Sequence, residues 1–298
     1  MDADPSPGLW ALLIGINEYA AVPALAGSVN DVMALRSFLT SHLDTPDANI
    51  RVLTNQQATR AAILHEIDAF LIHNPAIQPG DQVLLHFSGH GSQMPDPTGA
   101  EPDQLWETLV AYDSRLPEIF DIPDKTLAAL LAQMARARGA GITVVLDCCH
   151  SGSGTRAGAP ALARTRHVPT DERPPPMDLD RAIRGRAALR GARPGRAAEL
   201  PYVLLAACRS GQQAREHWVA ETGAAGVWHG ALTYFTLSSL RTAPPGLTYA
   251  MLHERVAAQI SARYPQQLPQ CEGDRQRAIF GRARGAEVPW LVVQRSDD

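Results

Sequence analysis

The sequence predicts an α/β fold built on a mostly parallel sheet with helices on both faces. Three observations carry this reading. Continuous apolar runs recur at Leu9–Ile16, Gln82–Phe87, Ile142–Leu146 and Tyr202–Ala207, the pattern of strands buried on both faces. Helical patterns lie between the runs, and strand alternating with helix implies a parallel sheet. The chain has 298 residues, 45% of them hydrophobic and 19% charged, an ordinary globular composition.

The elements follow in order. After the first run, Val32, Leu35, Phe38 and Leu39 recur at helical spacing, with Asn30 or Asp31 as the expected cap. Thr59 is expected to cap a helix over Ala61–His73, whose Ile63, Leu64, Ile67, Phe70 and Leu71 form one face. Residues 94–113 follow the second run and break the rhythm, being acidic and turn-rich. Asp124 is expected to cap a helix over Thr126–Arg138, ahead of the third run. Residues 153–199 are rich in Arg, Pro, Gly and Ala, hold ten arginines, and have almost no apolar periodicity. Such a stretch inside a compact domain reads as a flexible insertion. Beyond the fourth run, Ala231–Leu240 and Thr248–Tyr264 read as helices.

Bulk properties narrow the function. A net charge of −4, with Lys125 the only lysine, gives no reason to expect nucleic acid as a partner. No apolar run approaches the roughly 18 residues of a membrane span. The N-terminal MDADPSPG is short and acidic, so no signal peptide is expected. The four cysteines (Cys148, Cys149, Cys208 and Cys271) include an adjacent pair and do not form a disulfide framework, so a reducing cytoplasm is the expected location.

Two motifs carry chemistry. Asp147-Cys148-Cys149-His150-Ser151-Gly152 follows the third apolar run, and Ser88-Gly89-His90-Gly91 follows the second. Functional groups of open parallel sheets sit beyond the carboxyl ends of the strands, so neighbouring strands would bring Cys149 and His90 to one rim. A free thiol has a pKa of roughly 8.5 and needs a base. An imidazole can take its proton and later protonate a leaving amine. The main-chain N–H groups of Gly91 and Cys149 are candidate donors to the oxyanion. Cys148, on the opposite strand face, reads as a buried small hydrophobe. Cys208 reads as core-facing or pocket-lining, and His86 as a core histidine. Adjacent cysteines do not match zinc-ligand spacing, so no metal is expected there.

HFSGHGSQ (86–93), LDCCHSGSG (146–154) and the entry motif LLIGINEY…LAGSVNDV (12–32) resemble the metacaspases and bacterial caspase-like proteases. YVLLAACRSGQQARE (202–216) and the 230–240 helix extend the resemblance more loosely. Caspases place the histidine about 50 residues before the cysteine, and a gap of similar size separates His90 from Cys149. The resemblance implies a single six-stranded caspase-like sheet and a cysteine endopeptidase with Cys149 as nucleophile, His90 as base and no cofactor in the chemistry. It implies a large-subunit-like region at 1–152, a linker at 153–199 and a small-subunit-like region at 200–298 completing the same domain. In metacaspases the positions matching Asp31 and Asp147 form the acidic floor of a pocket for a basic residue, and Ser88 matches a wall serine. Cleavage after Arg, and less well after Lys, is therefore expected, with Arg-bearing proteins or peptides as partners. Ser28 stands where the family usually has cysteine and is grouped with this pocket.

Further expectations follow. The linker arginines suit the same pocket, so a zymogen cut within 153–199, by itself or by an upstream protease, is expected. By analogy the setting is bacterial cell death or defence. Asp96, Glu101, Asp103, Glu107 and Asp113 supply oxygens of the kind calcium takes. The family's Asp-Gly and Asp-Glu pairs are absent, however, so a solvated acidic loop is favoured over calcium. The competing reading is an inactive caspase-like binding module. Its mark would be loss of His90 or Cys149, and both are present.

Overall fold

The computed structural model describes residues 7–139, 141–149, 164–175, 200–220, 226–244 and 246–281. In chain order its strands are β1 (Leu9–Gly15), β2 (Ile50–Thr54), β3 (Gln82–Ser88), β4 (Gly91–Pro95), β5 (Leu105–Leu109) and β6 (Ile122–Pro123). β7 (Ile142–Asp147), β8 (Val203–Ala206), β9 (Glu216–Val219), β10 (Val227–Gly230) and β11 (Gln270–Glu272) follow. The helices are α1 (Ser28–Leu43), α2 (Arg60–Glu66), α3 (Asp124–Arg138), α4 (Ala231–Arg241) and α5 (Tyr249–Arg263). A π-helical turn over Ile67–Ile72 extends α2.

One six-stranded sheet runs in the order β11-β8-β7-β3-β1-β2. Its pairs are parallel, except that β11 runs antiparallel to β8. This is the caspase-like α/β architecture. Side chains alternate across the sheet, and both faces are buried. Leu9, Ala11, Leu13, Leu84, Val145 and Val203 join one core with residues of α1, α4 and α5. Trp10, Leu12, Ile14, Leu85, Phe87 and Val144 join the other with α2 and α3. Burial on both sides is why these strands read as continuous apolar runs. β8 and β11 extend the sheet beyond β7, so residues after 200 complete the sheet begun before 152.

Several local expectations are corrected. Neither Asn30 nor Asp31 caps α1, which begins at Ser28 after Gly27. The Asn17 Oδ1 instead accepts from the Ser28 and Val29 N–H groups at 2.8 and 3.2 Å, satisfying orphan donors of the first turn. Asp124 is the first residue of α3 rather than its cap. Thr59 does cap α2, accepting from Ala62 N at 3.2 Å, whereas Thr248, read as the first helical residue, instead caps α5 and accepts from Met251 N at 3.3 Å. The turn-rich stretch after Met94 forms part of a second, three-stranded antiparallel sheet, β4-β5-β6, around buried Met94 and Trp106. Its strands are short and half polar, so they leave no continuous apolar run. Residues 164–175, expected in an exposed linker, contribute buried Arg166, Val168 and Asp171. The remainder of 153–199 lies outside the described residues.

Gly15 sets how closely α1 approaches the sheet. A Cβ there would fall 2.5 Å from the Ser28 carbonyl oxygen and 2.8 Å from a Val32 methyl. Gly15→Ala should therefore displace the first turn of α1 and cost about 1–3 kcal/mol. The check is the urea midpoint of a Cys149→Ala background; an unchanged midpoint would contradict this packing account.

Candidate active site

The register of two strands assembles the site. β3 and β7 pair with Ser88 opposite Asp147, so the segments carrying His90 and Cys149 leave the sheet at the same edge. The His90 N–H donates to the Tyr19 hydroxyl at 2.8 Å, and the two rings lie 5.0 Å apart. The His90 Nε2 lies 2.9 Å from the Pro23 carbonyl oxygen. A carbonyl only accepts, so Nε2 carries the proton and Nδ1 keeps its lone pair. Nδ1 makes no hydrogen bond. Burial pushes the imidazole down to about 4, against the upward pull of the Pro23 carbonyl, so the ring is a neutral base at pH 7.

The adjacent cysteines face opposite cores: Cys148 packs with the α2/α3 side and Cys149 with the α1/α4 side. The Cys149 Sγ accepts from the Ala214 N–H and lies 3.5 Å from the Ala214 carbonyl oxygen. His90 and Cys149 share the rim but are not hydrogen-bonded to each other. Burial raises the Cys148 thiol well above its ordinary value. Cys208 is buried in the same core as Cys149.

The chain's own residues 164–168 occupy this rim. The Arg166 carbonyl oxygen accepts from the Gly91 N–H at 3.0 Å and the Cys149 N–H at 3.1 Å. The Arg166 N–H donates to the Ala214 carbonyl at 3.1 Å, and the Glu216 N–H donates to the Arg164 carbonyl at 3.0 Å. Thr165 forms an antiparallel bridge with Arg215. The segment is thus extended backbone laid along the approach to β9, with one carbonyl polarised by two fixed donors. Downstream, the Val168 N–H donates to the Gly91 carbonyl at 3.2 Å, and the Ser92 Oγ, with one hydrogen to donate, lies 3.0 and 2.9 Å from the Val168 and Pro169 carbonyl oxygens. Arg173 pairs with Asp171 at 2.7 Å and donates to the Leu116 and Ile119 carbonyls at 3.0 Å each.

The Arg166 side chain is completely buried. Its guanidinium lies 2.8 Å from Asp31 Oδ2, 3.3 Å from Asp147 Oδ1 and 3.7 Å from Glu216 Oε1. It also donates to Ser88 Oγ at 2.7 Å and to the Asp147 carbonyl at 3.0 Å. Asp31, Asp147 and Ser88 therefore meet around one guanidinium. Ser28, grouped with them from sequence, is buried at the start of α1 with its hydroxyl unbonded and no link to Arg166.

Burial pushes Asp31 up, but Arg166, His229 and Ser88 outweigh it and hold its carboxyl below the ordinary range. Asp147 goes the other way: burial, reinforced by the neighbouring Asp31 charge, exceeds the pull of Arg166 and raises it. Thr233 holds Asp147 through its N–H and hydroxyl, both at 2.8 Å from Oδ2. His86 Nε2 lies 3.0 Å from the Thr233 hydroxyl, which fits its reading as a core histidine.

The Asp96, Glu101 and Asp103 carboxylates of the acidic loop have partners within the chain. Asp96 accepts from the N–H groups of Thr98, Ala100 and Glu101. Glu101 pairs with Lys125, and Asp103 accepts from the Leu105 N–H at 3.2 Å. Among the described residues, no group of three or more His, Cys, Asp or Glu is placed to hold a metal. The calcium candidates Asp96, Glu101 and Asp103 thus direct carboxylate oxygens at main-chain N–H groups or at Lys125.

Residues 10–156 match the metacaspase, peptidase C14 domain. This match places residues 10–156, just under half of the chain, in the metacaspase family. It is 36% identical to Metacaspase-1 of Eremothecium gossypii over 155 residues, covering 48% of this chain and 32% of that one. It is 29% identical to Metacaspase-1B of Neosartorya fischeri over 288 residues, covering 86% and 67%. The chain thus spans about a third to two thirds of the length of these relatives. A crystal structure of a Geobacter sulfurreducens protein shares the fold, with a TM-score of 0.60 at 20% identity, covering 89% of this chain and 92% of that one.

Sequence reasoning missed four residues that shape the pocket. Glu216 is a third carboxylate, which also accepts from the Ala26 and Gly27 N–H groups ahead of α1, at 3.1 and 2.6 Å. Gly230 forms the wall: a Cβ there would lie 2.2 Å from Asp147 Oδ2 and 2.3 Å from an Arg166 nitrogen. Thr233 orients Asp147, and Arg166 fills the space. Only Arg166 carried a sequence signal, as one of the linker arginines.

Two outcomes test this geometry without any activity of the chain. In Cys149→Ala protein, trypsin should spare the Arg166–His167 bond. Adding Asp31→Asn should expose that bond and speed its cleavage at least about tenfold, the effect of unpairing a buried charge. In the same Cys149→Ala background, NMR should show His90 as the neutral Nε2–H tautomer at pH 6, titrating near 4. Titration near 6.5 would refute burial as the controlling term.

Proposed function

We propose that the chain is a cysteine endopeptidase that cleaves after arginine, and less well after lysine. The observation behind this is Arg166: its guanidinium sits among three carboxylates while its carbonyl accepts from the Gly91 and Cys149 N–H groups. In this reading Cys149 Sγ attacks the carbonyl carbon of a bound arginine. The His90 Nδ1 takes the thiol proton and delivers it to the leaving amine as the peptide bond breaks. The two N–H groups stabilise the oxyanion. Water, deprotonated by the same imidazole, then releases the acyl group from sulfur and regenerates the thiol. Lysine suits the pocket less well because it offers a point charge rather than a planar fork.

The same reading makes the chain a zymogen. A substrate must displace residues 164–168, and the bond presented to Cys149 is Arg166–His167. Processing there requires no group beyond those named. An upstream protease acting on the linker, and action in the cytoplasm, are compatible with this scheme. An inactive binding module would hold the segment but never cut it.

Purified wild type should yield a fragment whose N-terminal sequence begins at His167, while Cys149→Ala stays whole and Arg166→Ala loses that cut. On matched peptides, arginine before the bond should be cleaved fastest, then lysine. Faster cleavage after aspartate would overturn the pocket assignment, and no cleavage of any basic peptide would favour the inactive module.

A further inference from the structure

We infer that the aromatic pair Trp218–Trp228 forms a second basic subsite, which reads the residue two positions before the arginine at the cut. This rests on the peptidase reading above and extends it to the sequence Arg-Xaa-Arg. Along an extended segment, residues two apart project to the same side. Arg166 enters the carboxylate pocket, and the Arg164 guanidinium lies over the Trp228 ring, 5.4 Å from its centroid. The same spacing recurs on the receiving strand, where Trp228 precedes the pocket-wall Gly230 by two residues in β10. Ladder bonds on both sides of Thr165 fix the alignment.

The aromatic pair is held in place independently of Arg164. Trp218 and Trp228 are register partners in β9 and β10, with ring centroids 5.1 Å apart. The Trp228 carbonyl accepts from the Asn30 side chain at 2.8 Å. A Cβ on Gly226 would fall 2.6 Å from the Trp218 ring, so glycine permits the close seat. Trp218 remains 45% exposed, a large aromatic surface at the rim of the cleft. Among the described residues Arg164 has no salt bridge, so the subsite works through an aromatic face. A ring face favours a planar guanidinium over an ammonium and gives no reason to accept a carboxylate.

The test is a peptide series ending in Thr-Arg before the reporter, with Arg, Lys, Ala or Glu preceding Thr. Arg should exceed Ala about three- to tenfold in kcat/KM, the size of a cation–π contact at a partly exposed site. Lys should fall between them and Glu below both. Trp228→Ala should bring the Arg-to-Ala ratio close to one, while Trp228→Phe keeps part of it. Equal cleavage of the Arg and Ala peptides by wild type overturns the subsite and leaves the arginine pocket standing. A ratio that survives Trp228→Ala overturns the assignment to this ring. Failure of every peptide in the series would remove the peptidase reading itself, and the subsite with it.

Discussion

A guanidinium without solvent is the constraint around which this cleft is organised. Moving a cation out of water costs several kcal/mol even after relaxation, and only close, well-bonded counter-charges repay it. Arg166 has these in Asp31, Asp147 and Glu216, with Ser88 and a main-chain carbonyl completing its donors. The balance is uneven, with three acids facing one fixed cation. Burial, reinforced by the nearby Asp31 charge, outweighs the attraction of Asp147 to Arg166 and raises its carboxyl.

The sheet supplies the precision. Because Ser88 and Asp147 are register partners, the pocket wall, the pocket floor and the two segments beyond them are placed by one strand pairing. His90 and Cys149 each follow that pair by two residues, and the Gly91 and Cys149 N–H groups converge on one oxygen. The Pro23 carbonyl sets the tautomer of His90, and Tyr19 anchors its main chain. Rigid elements therefore hold the reactive groups, and the loops only deliver what lies between them.

Much of this was legible in the sequence, for an identifiable reason. Strands covered on both faces must be apolar throughout, so β1, β3, β7 and β8 announced themselves. The Ser88–Gly91 and Asp147–Gly152 blocks marked the rim because strand ends carry function in open sheets. The failures share a cause as well. Hydrophobic periodicity reports burial driven by apolar area, and Arg166 is buried by ion pairing instead, so its segment looked structureless. Glu216 sits far along the chain from the residues it joins, and no local pattern marks it. Gly230 matters for an atom it lacks. β4 and β5 were hidden because they are short and carry buried polar side chains such as Ser92, Gln93 and Thr108. Asp31 looked like a cap because it sits in a first turn, yet the donors there are served by Asn17 and the carboxylate is turned inward.

Glu216 has a consequence beyond recognition. Its carboxylate reaches from the later half of the chain to the main chain just ahead of α1, and the same atom faces the guanidinium. One carboxylate therefore serves both the charge of the pocket and the contact between the two halves of the chain. Replacing this carboxylate would remove a joint between the two halves and change the charge around the guanidinium at the same time. The charge of the pocket is thereby tied to residues on both sides of the linker, Asp31 and Asp147 before it and Glu216 after it.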